Sequence, residues 1–488
     1  MITSNGIGAG HLIRAGAIAR RMKGNARPII LSMAYSVIEV ATSLDIECEF
    51  IPGRDKGLMA RRRWDEYLRD RLIALIDETG AKVVTFDGVV PYPGILAAKF
   101  RRPSVSYIWI RRGMWQKKPQ GIALSLQSKL MDYVIEPGDV AREYDNGPTK
   151  HRGEALLTSP VTLYDPETSL PKKEAKSFLV LRPEGIAVLV QLGVGDQDLN
   201  ERVSAVLKGL SRNPGIEIVM AKEPRSRTGE TLVPRGVDVK VIRHFPLADV
   251  IHAFDAVVCA AGYNSVHEVV PARIPTLLIA NNRGTDDQIA RAKWCADYKL
   301  TLFADNESLF EIQEKAHQLM ESQVRLKLTQ MCERISNFNG DREIASLILM
   351  LSQDNVSSLI LKRMRYQRLL AQSAFERGLG HALRKLANSA LRIAALIFRT
   401  FFPHAESLVP ESKVLFSQSL DFELCNPLIK GNDRFEHLLS GSSIEYLQAR
   451  KRVAVKAYQT IEDNLYYLEE SGTEESIPFS SSTILKYS

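Results

Sequence analysis

The chain has 488 residues, of which 45% are hydrophobic and 25% charged, with a formal net charge of +7. These are ordinary globular values and enough chain for two or three domains with sizeable cores. No uncharged apolar run reaches about 18 residues, which excludes a spanning helix, and the five scattered cysteines show no CxxC or metal spacing, so reduced thiols in a cytoplasmic setting are expected rather than disulfides or a metal centre.

The sequence opens on a glycine loop, so no secretory signal is expected. Gly6, Gly8 and Gly10 make a turn, and Leu12, Ala15, Ala19 and Met22 then share one helical face with Arg14 and Arg21 off it. A helix that starts after a glycine loop offers unpaired N–H groups to anions. Only Met1 to Ser4 precede the loop, so the first strand is either very short or incomplete.

Alternating elements follow. The pattern predicts strands at 28–33, 47–51, 82–86, 104–109 and 133–136, with helices at 37–44, 58–78 and 93–100. Residues 138–184 lose this pattern and carry Pro148, Pro160, Pro166, Pro171 and Pro183, which reads as a connection. A second set opens at 186–192, continues through Gly193 and Gly195 into a helix from about Leu199, and adds strands at 217–220, 237–242, 256–259, 276–279 and 300–303. A helix over 342–351 closes it. The βαβα order predicts an α/β protein of two doubly wound, Rossmann-like domains, 1–137 and 185–352, facing one cleft.

The last third differs. Lys362, Arg363, Arg365, Arg368, Arg377, Arg384, Lys385, Arg392 and Arg399 are opposed only by Glu376, so the basicity belongs to a segment rather than to the fold, and no nucleic-acid partner is expected. Within 359–402, Leu383, Leu386, Ala390, Ile393, Ile397 and Phe401 form one stripe. That is the pattern of a helix lying at an anionic membrane surface, or of a basic amphipathic helix packed on the core. A helical extension is expected over 353–468 and a disordered tail over 469–488.

The most informative stretch is 257–288. A short apolar strand is broken by Gly262, then come Tyr263, Asn264, Ser265 and Glu268, then Ile274-Pro275, then Asp287-Gln288. Ser265-x-x-Glu268 is also a capping box, in which both side chains satisfy backbone N–H groups. As a whole the stretch resembles the donor signature of GT-B glycosyltransferases. It is similar to the G-x-N-S-x-x-E … P … D-Q pattern of UDP-glycosyltransferases and to the lipid II-forming N-acetylglucosaminyltransferases of peptidoglycan synthesis. The resemblance covers roughly residues 3–350. One departure is Ala260, where the plant-type signature carries a phosphate-binding histidine.

The resemblance implies a UDP-sugar donor held by the second domain. Gly262, Tyr263, Asn264 and Ser265 would face the diphosphate, with Gly193 and Gly195 as a second phosphate-side loop. Glu268 would accept the ribose hydroxyls, Asp287 and Gln288 would reach the sugar, and Arg243-His244-Phe245 would hold uracil. In the first domain, the loop Gly8-x-Gly10-His11 would place His11 as general base on an acceptor hydroxyl. Asp87 would orient His11 or bind acceptor, although Asp-Gly is equally a turn. Arg111, in Arg111-Arg112-Gly113-Met114-Trp115, is either an acceptor contact or part of a solvated basic turn. His252 and His267 are expected to be structural or cofacial with the donor site, not metal ligands.

The expected activity is inverting transfer of a hexose or N-acetylhexosamine from a UDP-sugar to a hydroxyl acceptor, lipid- or polysaccharide-linked, with no metal or other cofactor. The expected location is the cytoplasm, peripherally at the inner face of the plasma membrane. A nucleotide-sugar 2-epimerase and a non-catalytic nucleotide-sugar-binding subunit are the alternatives.

Overall fold

The computed structural model describes residues 1–353 except 5–8, 35, 55–58, 117–123, 125–126, 129, 151, 153–154, 194–197, 222–232 and 282–284. The basic segment 359–402 and the expected tail lie outside the described residues, as do Gly6, Gly8 and Gly195.

Two separate parallel sheets carry the fold. The first contains β1 (Ile2–Thr3), β2 (Ile29–Ser32), β3 (Glu47–Phe50), β4 (Val83–Asp87), β5 (Ser106–Ile110), β6 (Tyr133–Pro137) and β7 (Leu156–Thr158), in the order β3-β2-β1-β4-β5-β6-β7. The second contains β8 (Ile186–Gln191), β9 (Ile216–Ala221), β10 (Val239–Ile242), β11 (Ala256–Ala260), β12 (Thr276–Ile279) and β13 (Leu302–Ala304), in the order β10-β9-β8-β11-β12-β13. Central strands such as β5 and β11 are buried along their whole length, which is why they read as continuous apolar runs rather than alternating ones. The two-residue β1 is nonetheless the centre of its sheet, pairing with both β2 and β4.

In each sheet the strand order reverses once, between β1 and β4 and between β8 and β11. Loops leaving such a pair of strands diverge and open a crevice at their carboxyl ends, where ligands of doubly wound sheets bind. The helix Gly10–Met22 follows β1, and the helix Tyr263–Val269 follows β11. Both candidate loops therefore sit at a reversal point, and the two helices pack against each other.

The connection is more structured than its prolines suggest. It adds β7 to the edge of the first sheet and carries the helix Lys172–Phe178. The last described helix, Gly340–Gln353, returns to pack on Gly10–Met22 in the first domain. Its first residue must be small: a Cβ on Gly340 would stand 1.9 Å from the Ser159 carbonyl oxygen. Arg21 ties this crossing by pairing with both Asp165 and Asp341. One apolar cluster, including Leu12, Ile18, Val257, Leu278, Ile344 and Ile348, runs through both domains.

Candidate active site

The register of the first sheet sets Thr3 beside Asp87. The chain leaving β1 therefore delivers the start of helix Gly10–Met22 next to the end of β4. There His11 Nδ1 lies 2.6 Å from Asp87 Oδ1, with His11 at 12% side-chain exposure and Asp87 at 1%. Arg14, one turn on, completes the cluster: its Nε donates to Asp87 Oδ2 at 2.7 Å and its Nη2 to Oδ1 at 2.5 Å. Arg14 is 2% exposed, which corrects its expected place off the buried face. The strand partner that satisfies its charge is 73 positions away in sequence.

A carboxylate bound to Nδ1 makes that nitrogen the N–H donor and leaves Nε2 with its lone pair. Burial pushes the His11 imidazole below its ordinary value, against the hydrogen bond and charge of Asp87, with Arg14 and Arg112 adding to the depression. The ring is thus neutral at pH 7, as a base must be. Burial alone would raise the Asp87 carboxyl, but Arg14 and His11 hold it below its usual range.

Across the crevice, Gly262 is the N-cap of Tyr263–Val269, and no side chain caps that helix. Ser265 and Glu268 therefore do not form a capping box. Neither side chain has a hydrogen-bond partner among the described residues. The half-buried Glu268 carboxyl is pushed up to about 8 by burial and by Asp249, with Arg20 opposing. Glu268 thus stands one turn into a helix whose first backbone N–H groups receive no side-chain cap. Asn264 Nδ2 donates to the Gly10 carbonyl at 3.2 Å, bringing the two expected loops together.

Several expected contacts need correction. The Tyr263 side chain is 4% exposed; its hydroxyl donates to Gly138 O and accepts from Val161 N, both at 2.9 Å, and its ring lies 5.0 Å from the Arg14 guanidinium. The side chain is a tie to the connection between the domains, and only the backbone N–H of Tyr263 remains in the uncapped first turn. Asp287 caps the helix Gln288–Asp297 by accepting from Ala290 N at 3.0 Å, so one of its oxygens is committed there rather than to a sugar. Gln288 is buried, accepts from Asn281 N at 3.0 Å and donates to Asp286 at 3.3 Å. Its amide nitrogen nonetheless stands near Gly262, 3.8 Å from where a Cβ would be.

Arg111 is neither a solvated turn residue nor open to an acceptor. It is fully buried and pairs with Glu136 at 3.1 Å. The segment after it docks on the second domain instead. Gln116 N donates to Thr285 O and Asp287 N to Met114 O, each at 2.9 Å, while Arg112 Nη2 reaches Thr285 Oγ1 at 3.3 Å. Beneath this seam Arg291, fully buried, pairs with Asp139 at 2.8 Å and Asp286 at 3.0 Å. Arg14, Arg112, Asp139, Asp286 and Arg291 escape a reading of sequence because each has its partner on a distant element; an arginine at a strand or loop end otherwise reads as solvated.

The remaining residues fall as follows. Gly193 leaves β8 with φ 80°, a left-handed conformation that favours glycine. Arg243 is exposed just after the edge strand β10. His244 packs 5.0 Å from the Phe178 ring, its Nε2 is without a partner among the described residues, and burial lowers its pKa against the pull of Asp249. Phe245 is half-buried beside it. His267 is structural: Nδ1 donates to Tyr263 O at 2.6 Å, Nε2 accepts from Val140 N at 3.1 Å, and burial takes its pKa down to about 4. His252 shares a 3.2 Å hydrogen bond with the Tyr164 hydroxyl.

Two Rossmann-like domains, joined by the crossing helix Gly340–Gln353 and meeting at their strand-order reversals, define a GT-B fold. The chain resembles the UDP-glycosyltransferases of that fold. It is 25% identical over 317 residues to the UDP-N-acetylglucosamine–N-acetylmuramyl-(pentapeptide) pyrophosphoryl-undecaprenol N-acetylglucosamine transferase of Saccharopolyspora erythraea, covering 60% of this chain and 78% of that enzyme. The fold is shared with spinosyn forosaminyltransferase SpnP at a TM-score of 0.51 and 14% identity, over 72% of this chain and 99% of that one. It is shared equally with the UDP-GlcNAc 2-epimerase of Neisseria meningitidis, at a TM-score of 0.52 and 13% identity, over 71% of this chain and 98% of that one. No protein-family model matches the chain.

Proposed function

We propose that the protein transfers a sugar, a hexose or N-acetylhexosamine, from a UDP-sugar to the hydroxyl of a lipid- or polysaccharide-linked acceptor, with inversion and without a metal. The observation that carries this reading is the 3.2 Å contact of Asn264 with Gly10, which sets a neutral His11, oriented by Asp87, opposite a helix start with no cap. In this mechanism the acceptor hydroxyl gives its proton to His11 Nε2 as its oxygen attacks the anomeric carbon. The bond to the UDP oxygen breaks from the opposite face, and the departing charge falls on the backbone N–H groups at 263–265. Glu268 accepts the ribose hydroxyls. Gln288, with the free side of Asp287, borders the sugar, and Arg243 to Phe245 border uracil. Similarity to the enzyme of Saccharopolyspora erythraea, named for a pyrophosphoryl-undecaprenol acceptor, supports a lipid-linked acceptor; the basic amphipathic sequence of 359–402 would supply the contact with an anionic membrane surface.

The test is a screen of UDP-sugars by thermal shift, followed by transfer assays with the stabilising donor and lipid-linked acceptors. A site-bound donor at a hundredfold excess over its Kd adds about 2.7 kcal/mol of stability. Product with inverted anomeric configuration, lost in His11→Ala, is expected. Isomerised donor in the absence of acceptor would make the protein an epimerase. Donor affinity with no turnover on any acceptor would make it a binding subunit.

A further inference from the structure

The His11–Asp87 pair differs from a simple histidine–carboxylate dyad in one respect. An unshared carboxylate at 2.6 Å orients an imidazole but also favours its protonation, because the anion stabilises the imidazolium. Here the same carboxylate is gripped on both oxygens by Arg14, through Nε to Oδ2 and Nη2 to Oδ1. Asp87 still favours the ring's protonation, but the Arg14 cation bound to the same carboxylate works against it, so Asp87 holds the ring while raising its basicity less than an unshared carboxylate would. Arg14 is itself fixed on three sides. It is 2% exposed, its plane is set by the two-pronged contact, and its guanidinium lies 5.0 Å from the ring of Tyr263, whose hydroxyl is locked between Gly138 and Val161. The Arg14 Nη2 also stands 3.1 Å from His11 Nδ1. Both nitrogens bond the shared Oδ1, and protonating the ring would set a second positive charge beside the guanidinium, which disfavours it.

We propose that Arg14 is a positioning residue: its buried fork on Asp87 fixes His11 as the neutral Nδ1–H tautomer and registers it against the first turn of the donor helix through Tyr263. The functional consequence rests on His11 as the base, but the positioning itself does not. Among the described residues, the charged and titratable groups facing His11 are Asp87 from β4, Arg14 from its own helix and Arg112 from the segment after β5. Arg14 additionally feels Tyr263 and Asp286. Of these, Arg14 alone is bonded to the carboxylate that holds the ring.

The test is the tautomer-sensitive 15N spectrum of histidine-labelled full-length protein, with His11→Gln used to assign the signal. In the wild type the His11 signal should be that of a neutral Nδ1–H ring at pH 7. Arg14→Met removes the cation and leaves the carboxylate unshared, so the His11 midpoint should rise by about one pH unit or more. Arg14→Lys keeps a point charge without the fork; its midpoint should stay near that of the wild type while the ring exchanges between tautomers. A His11 midpoint unmoved in Arg14→Met, or a single wild-type tautomer retained in Arg14→Lys, would overturn the proposal. If Arg14→Met does not fold, the Arg14→Lys spectrum decides alone. UDP titrated into the same samples separates the two ideas. A wild type that ignores UDP but shows the predicted histidine behaviour fails the transferase reading and leaves the positioning role intact.

Discussion

Asn264 Nδ2 and the Gly10 carbonyl are 3.2 Å apart, so the first turn after β11 touches the first residue of the helix after β1. Asn264 itself lies within the first turn, whose N–H groups at 263–265 have no side-chain cap. Hydrogen bonds to a charged group are worth about 1.5–3 kcal/mol each. Asn264→Ala should therefore weaken UDP binding by roughly 10- to 100-fold, with little change in Tm because the contact to Gly10 is exposed. Calorimetric titration of UDP measures this; an unchanged Kd would leave Asn264 as a domain contact only.

Glu268 makes binding and stability pH-dependent in opposite senses. Its carboxyl, raised to about 8 by burial and Asp249, is mostly protonated in the free protein at pH 7. Its pKa in the unfolded chain is the ordinary, lower one, so the folded state binds the proton more tightly. Stability is thus lost as pH rises from the unfolded value through about 8. Glu268→Gln cannot ionise, so it should equal the wild type in Tm below pH 4.5 and exceed it increasingly up to pH 9. A ribose diol held by the carboxylate requires the ionised form, so UDP binding near pH 7 should release a proton, read from binding enthalpies in buffers of different ionisation heat. Equal enthalpies after correction, or the same release in Glu268→Gln, would show that the carboxylate does not take the diol.

The alternation of strand, loop and helix was legible because a parallel strand covered on both faces must be apolar throughout, as at 257–260 and 276–279. Gly262, Asn264, Ser265 and Glu268 were legible as a group because their chemistry lies within one helical turn. What the residues themselves left open was whether Ser265 and Glu268 cap the helix; backbone geometry decided it, by making Gly262 the N-cap. The arginines were illegible for the reverse reason. Arg14 and Arg111 look like surface residues until Asp87 and Glu136 arrive from other strands. β7 was hidden because Leu156 and Leu157 are more than half exposed at the sheet edge, where no apolar pattern is demanded.

Arg291 gives a stability prediction with a large expected effect. It joins Asp139, just past β6, to Asp286, just before the helix Gln288–Asp297, and donates to Ala261 O at 2.8 Å. Removing one member of a buried ion cluster leaves the others uncompensated, at about 3–5 kcal/mol. Arg291→Met should lose about that much in urea unfolding, and Asp139→Asn combined with it should recover part of the loss. A single mutant within about 0.5 kcal/mol of wild type would mean that water reaches the cluster.

Tyr263 tests whether the first residue of the helix Tyr263–Val269 serves a ligand or the fold. Its hydroxyl is the partner of a main-chain donor and a main-chain acceptor from the connection between domains, Val161 N and Gly138 O. Tyr263→Phe keeps the ring under Arg14 but strands both groups, and an unsatisfied buried group costs about 1–3 kcal/mol. The variant should therefore unfold at lower urea concentration, while UDP affinity stays within about twofold of the wild type, since a difference below about 0.4 kcal/mol is smaller than any lost hydrogen bond. Stability that survives alongside a tenfold loss of UDP affinity would reverse the assignment and return the hydroxyl to the donor.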